Sequence, residues 1–188
     1  MRAAFELVEP LDDQSWGEAS ELFVLNRYTK KQQIFSIGDE SDQVRFLISG
    51  IARYYYLSPQ GKERNKSFAK PFGAVTSLPT LIDDTPATFS AQALSECICL
   101  SISYRQIQKL NDNYHCWARL CLRIFEKLAL SKDVRIAELL MCSATERYLI
   151  FLEEYAQLVE LIPNYHIASY LGITEVALSR IRNKLLSM

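Results

Sequence analysis

Apolar residues recur at helical spacing over residues 12–28, where Trp16, Ala19, Phe23 and Val24 share a stripe that Asp12 or Asp13 can cap. The period then shortens. Residues 30–39 read as a short strand ending in a turn at Gly38-Asp39. Residues 43–48 and 51–57 read as two strands joined tightly through Ser49-Gly50. Ser58-Pro59-Gln60-Gly61-Lys62 is a further turn. Strands are expected near residues 63–68, 88–93 and 97–103, with an irregular loop from Pro71 to Pro86. This run of short strands predicts an antiparallel roll or barrel. The pattern then turns helical. A short helix is expected over 104–110, and a long one, free of proline and glycine, from about Asp112 to Met141. Trp117, Leu120, Cys121, Ile124, Phe125 and Leu128 form its stripe, and a pattern of that length is expected to pack on a second copy of itself. Another helix is expected over 146–161, capped by Ser143 or Thr145.

The last stretch, residues 164–185, reads as a helix-turn-helix. Ile167, Leu171, Ile173, Leu178 and Ile181 are apolar where two helices must bury against each other, and Ala168 is small where they cross. Pro163 suits the start of the first helix. Gly172 sits where a tight turn needs positive φ, and Thr174 can cap the second helix. Glu175, Val176, Ser179, Arg180 and Asn183 then fall on one side of that helix, where they could reach base edges in a major groove. We assign base reading to Glu175, Val176, Ser179 and Arg180, and phosphate contact to Thr174, Arg182 and Lys184. A plain helical hairpin would share the apolar spacing. It would not call for the cap, the glycine and the cationic run together.

Charge sharpens this reading. The 188 residues carry a formal net charge of −1, so the local run of Arg180, Arg182 and Lys184 is a patch on a near-neutral molecule. Hydrophobic content of 49% and charged content of 23% are those of a globular protein. Neither an apolar run long enough to span a bilayer nor a signal peptide is evident, which places the chain in the cytoplasm, away from membranes. The 5 cysteines are odd in number and sit mostly in apolar stretches, so free buried thiols are expected rather than a metal site or an iron–sulfur cluster. Only His115 and His166 are available as imidazole bases, with His166 expected to face outward, and neither joins a nucleophile–base–carboxylate set. The chain is therefore read as a non-enzyme.

A roll, a long helix and a helix-turn-helix in this order resemble the Crp/Fnr family of bacterial transcription regulators. Residues 34–39 through 46–50 look like the family's opening strands, residues 97–104 like its closing strand, and residues 167–185 like its DNA-reading motif. The resemblance implies an α+β chain: a cyclic nucleotide-binding-like antiparallel β-roll (jelly-roll) over 1–110, a dimerisation helix over 111–142 and an all-α helix-turn-helix domain over 143–188. It implies a homodimer on double-stranded DNA with a near-palindromic site, and RNA polymerase and an unknown small-molecule effector as further partners.

Type members hold a cyclic nucleotide through an arginine for the phosphate and a carboxylate for the ribose. Here Ala87 and Ala74 stand at those places, and no Arg or Lys lies from Pro71 to Ser103. Ordinary cyclic AMP binding is expected to be absent or weak, and no cofactor is expected. Any ligand would be lined by Gly73, Ala74, Thr76, Ala87 and Thr88. A β wing common in the family is not expected after the recognition helix, and Glu175 replaces an arginine there, so site preference should differ. The alternative is a small-molecule-binding or protein-interaction module with a weak or vestigial DNA-binding domain.

Overall fold

The computed structural model describes residues 1–186. Two helices, α1 (Arg2–Glu6) and α2 (Asp13–Leu22), precede the roll. Asp12 caps α2, its Oδ1 accepting the Ser15 N–H at 2.8 Å. The helix expected to reach residue 28 ends at Leu22. Residues Val24–Tyr28 form β1 instead and pair along their whole length with β8 (Cys97–Ser103). Pairing with a distant strand overrides the local helical spacing.

The remaining strands are β2 (Gln33–Phe35), β3 (Gln43–Ser49), β4 (Ala52–Leu57), β5 (Glu63–Ala69), β6 (Ala74–Val75) and β7 (Ser90–Ala93). Two four-stranded sheets result, β1-β8-β3-β6 and β2-β7-β4-β5, with antiparallel pairing throughout. Leu47, Val75, Phe89, Ala91, Cys97 and Cys99 belong to the buried cluster of the roll. The expected antiparallel roll is therefore present. Its β3–β4 turn is not a hairpin, because the two strands lie in different sheets. Gly50 carries the chain across with φ +92°, and a Cβ there would sit 2.2 Å from the Glu96 carbonyl oxygen. The loop expected over 71–86 contains β6 and a short helix, α3 (Leu78–Ile82). Both are too short to show a period in sequence.

Helix α4 (Tyr104–Asn113) opens with a reciprocal cap between Ser103 and Gln106. It is separated from α5 (His115–Met141) by Tyr114, whose backbone is extended at φ −133°, ψ 112°. Trp117 and Leu120 of α5 are buried with Phe5, Phe46, Ile102 and Leu110, which ties the start of the long helix to the roll. Its far half is different. Leu130, Val134, Ile136, Leu139, Leu140 and Met141 are all exposed, the last two at 77% and 83%. No helix among the described residues is long and apolar enough to cross a membrane.

Helix α6 (Ala144–Glu154) begins with a reciprocal cap between Ser143 and Glu146. The helix expected to run to residue 161 breaks after Glu154, and only a 3-10 turn, Val159–Leu161, follows. Helices α7 (Asn164–Leu171) and α8 (Glu175–Leu186) complete the chain. Tyr148, Phe151, Ile162, Ile167, Leu171 and Leu178 bury together with Ile51, Phe68 and Leu94 of the roll. The C-terminal helices thus share a core with the roll rather than hanging free of it.

Candidate nucleic-acid interface and ligand cavity

The turn between α7 and α8 is built as its residues dictate. Gly172 adopts φ 72° and returns its N–H to the Ala168 and Ser169 carbonyls, and the Ile173 N–H reaches the Ala168 carbonyl at 3.0 Å. Thr174 Oγ1 accepts the Ala177 N–H at 3.2 Å. Ile167, Ala168, Leu171 and Leu178 are buried, so α8 can present only its opposite side. That side carries Thr174, Glu175, Val176, Ser179, Arg180, Asn183 and Lys184, all exposed. Arg182 is placed differently. Its Nε donates to Tyr148 Oη at 2.7 Å and its Nη1 to Asn164 Oδ1 at 2.6 Å, which pins α8 to α6 and α7.

His166 does not face outward. It is 4% exposed, against Arg53 and Asn65 of the roll. Arg53 donates from its Nη1 to Asn65 Oδ1 at 3.2 Å and to the Glu63 carboxylate at 2.6 Å. Asn65 therefore turns its Nδ2 toward α7, donating to the His166 carbonyl at 2.9 Å and to Nδ1 at 3.0 Å. Two donors converge on Nδ1, so that nitrogen must be the unprotonated acceptor. Burial and then Arg53 lower the pKa of His166 from 6.5 to about 4, with Glu63 pulling the other way. A neutral imidazole thus joins α7 to the roll, and Ser169 Oγ accepts the Asn65 N–H at 2.9 Å. The sequence carries no short-range sign of this junction.

A cavity of about 740 Å³ lies where the roll, α5 and the C-terminal helices meet. Of the residues assigned to a ligand pocket, Gly73, Ala74, Thr76 and Thr88 lie at its walls. Ala87 does not. It is buried in the core of the roll, and its N–H and carbonyl bond to Asp39 and Gly38. Aromatic side chains in the walls include Tyr54, Tyr56, Phe89, Phe125, Tyr155 and Tyr170. Tyr54 Oη donates to the Ala74 carbonyl at 2.7 Å, and burial holds its hydroxyl well above the usual phenol range.

The expectation that charge would be missing from the cavity holds only for the stretch 71–103. Lys66 and Lys70 of β5 and Lys132 and Arg135 of α5 all reach its walls. Sequence reasoning missed them because the walls come from elements far apart in the chain. Arg135 is paired with Glu138 at 2.9 Å, and Lys70 lies 4.0 Å from Glu154. Among the described residues neither Lys66 nor Lys132 forms an ion pair. Lys66 Nζ rests 3.7 Å from the centre of the Phe89 ring. Its pKa is pushed down to about 8, first by burial and then by repulsion from Lys132.

All 5 cysteines are free thiols, and burial pushes Cys99 up to about 11. Among the described residues no group of three or more His, Cys, Asp or Glu could hold a metal ion.

With this geometry in place, the comparisons with known proteins fall into line. The family model described as a cyclic nucleotide-binding domain matches residues 25–114, the stretch that forms the roll and α4. No curated protein matches the sequence. Among solved structures the chain is similar to FixK2 from Bradyrhizobium japonicum, at TM-score 0.74 and 20% identity over 88% of this chain and 85% of that one. It is also similar to the c-di-GMP responsive global regulator CLP of Xanthomonas campestris, at TM-score 0.72 and 17% identity over 94% and 92%. A third similar structure is a CooA mutant from Carboxydothermus hydrogenoformans, at TM-score 0.72 and 20% identity over 91% and 79%. The chain has the fold of the Crp/Fnr regulators, as its sequence resemblance implied.

Proposed function

We propose that the protein is a DNA-binding transcription regulator of the Crp/Fnr type and not an enzyme, acting as a homodimer on a near-palindromic operator. The observation that carries this reading is the exposed side of α8, where Glu175, Val176, Ser179 and Arg180 stand clear of a helix pair fixed by Gly172 and Thr174. The apolar outer half of α5 supports the dimer, since a second copy would cover Leu130, Leu139 and their neighbours and set two reading helices side by side. Thr174 and Lys184 would meet phosphates. Arg182 would serve as the brace of the reading helix.

The roll and the cavity beside it are the sensor in this reading, for an effector other than cyclic AMP gripped in the ordinary way. Ala74 and Ala87 supply neither the ribose carboxylate nor the phosphate guanidinium. Calorimetry with cyclic AMP should show no binding in the micromolar range, and tight binding would contradict this part of the reading.

A second reading, an interaction module with a vestigial DNA domain, draws on Arg182, whose guanidinium is spent on Tyr148 and Asn164. Selection of bound fragments from genomic DNA with the purified protein separates the two. A shared two-fold sequence among the bound fragments supports the regulator, and random recovery supports the module.

A further inference from the structure

The cavity between the roll and α5 combines two features that point to one class of ligand. Aromatic rings of Tyr54, Tyr56, Phe89, Phe125 and Tyr155 stand in its walls. Lys66 and Lys132, which form no ion pair among the described residues, come from different elements and face the same space. Lys66 is half-buried and repelled by Lys132, whereas Lys132 is exposed at the rim and within reach of the field of Glu154. Lys66 lies over the faces of Phe89 and Tyr56, 3.7 and 5.5 Å from the ring centres. The walls hold four cations, Lys66, Lys70, Lys132 and Arg135, against two carboxylates, Glu138 paired with Arg135 and Glu154 near Lys70 and felt by Lys132. The net charge of the lining is therefore positive, and the space of about 740 Å³ is within the range of small-molecule sites.

We propose that this cavity binds an aromatic carboxylate, its ring among Tyr54, Tyr56 and Phe89 and its acid group between Lys66 and Lys132. The assignment rests on the reading of the cavity as the sensor site, and it names the ligand class for that site. The charge grip comes from β5 and α5, not from the cassette of residues 71–88. The ligand would also lie against Tyr170 of α7, whose ring is covered by Arg135 at 3.9 Å. Occupancy would thus be felt by the first helix of the DNA-reading motif. Phe125 and Val134 line the cavity and are exposed on α5, so its rim is continuous with the surface a second copy would cover.

The test is titration calorimetry of the full chain with 1-naphthoate, its neutral counterpart 1-naphthamide, and cyclic AMP. Naphthoate should bind saturably, one per chain, and at least about tenfold more tightly than the amide, the ratio expected for a charge-assisted contact. Lys66→Gln and Lys132→Gln should each weaken naphthoate by about tenfold and leave the amide unchanged. Circular dichroism of both variants confirms that the fold is kept. Equal binding of acid and amide, no saturable acid binding, or unaltered affinity in both variants would overturn the proposal. So would cyclic AMP binding more tightly than naphthoate through Lys66, which would assign the charge to a nucleotide phosphate. Gel shifts on the same preparations keep the two readings apart. Arg180→Ala should lose DNA discrimination while binding naphthoate normally, and a wild type that ignores DNA would sink the regulator while leaving the ligand result standing.

Discussion

Single residues carry three of the consequences. Gly50 holds the crossing between the two sheets at a φ of +92°, with the Glu96 oxygen 2.2 Å from where a Cβ would be. Gly50→Ala should therefore destabilise the roll by about 2 kcal/mol or more in urea unfolding. His166 sets a pH dependence. Its folded form resists protonation down to about 4, whereas an ordinary imidazole takes a proton near 6.5. The unfolded chain then binds more protons between those values, so stability is whole above about pH 6.5 and falls as pH drops toward 4. His166→Gln should flatten that slope in thermal melts across the same range. Arg180 is exposed on α8, and if that face reads DNA as proposed, Arg180→Ala should cost about 1–3 kcal/mol of operator affinity and relax specificity in a gel-shift series. Gly172 and Thr174 were legible because glycine turns and caps act within a few residues. The surroundings of His166 were not, because Asn65 and Arg53 lie 101 and 113 residues away in the chain.

Elements were legible where their pattern was long and regular. Strands β3, β4 and β8 and helices α7 and α8 fall close to where alternation and apolar spacing put them. Strand β1 was read as helix because its partner β8 is some seventy residues on, and that partner decides its conformation. The break between the short and the long helix, expected near residue 111, falls at Tyr114, whereas the break after Glu154 was hidden because no proline or glycine marks it. Helix α5 gives the prediction at this scale. Leu130 and Leu139 are exposed in the single chain, so Leu130→Glu with Leu139→Glu should leave its fold intact. If a second copy covers them, each substitution removes about 1.5–3 kcal/mol of burial from the dimer. Sedimentation should then show the double variant as one chain where the wild type shows two.

At the scale of the molecule, the roll, long helix and paired C-terminal helices were foreseeable from order alone, and so was the family fold. Their joining was not. Phe68 and Ile51 of the roll share a core with Tyr148, Phe151 and Ile167, and the cavity draws its charges from β5 and α5 at once. Such convergence is a property of the folded chain, and no window of sequence contains it. In the proposed function, two copies present their α8 faces to one duplex. Fluorescence anisotropy of a labelled duplex carrying a genomically selected site, titrated with wild-type protein across a series of salt concentrations, tests this most directly. The account predicts two chains per duplex and an affinity that falls steeply and linearly with salt on logarithmic axes, by roughly 0.9 for each phosphate neutralised. A flat salt response, or saturation at one chain per duplex, would contradict it.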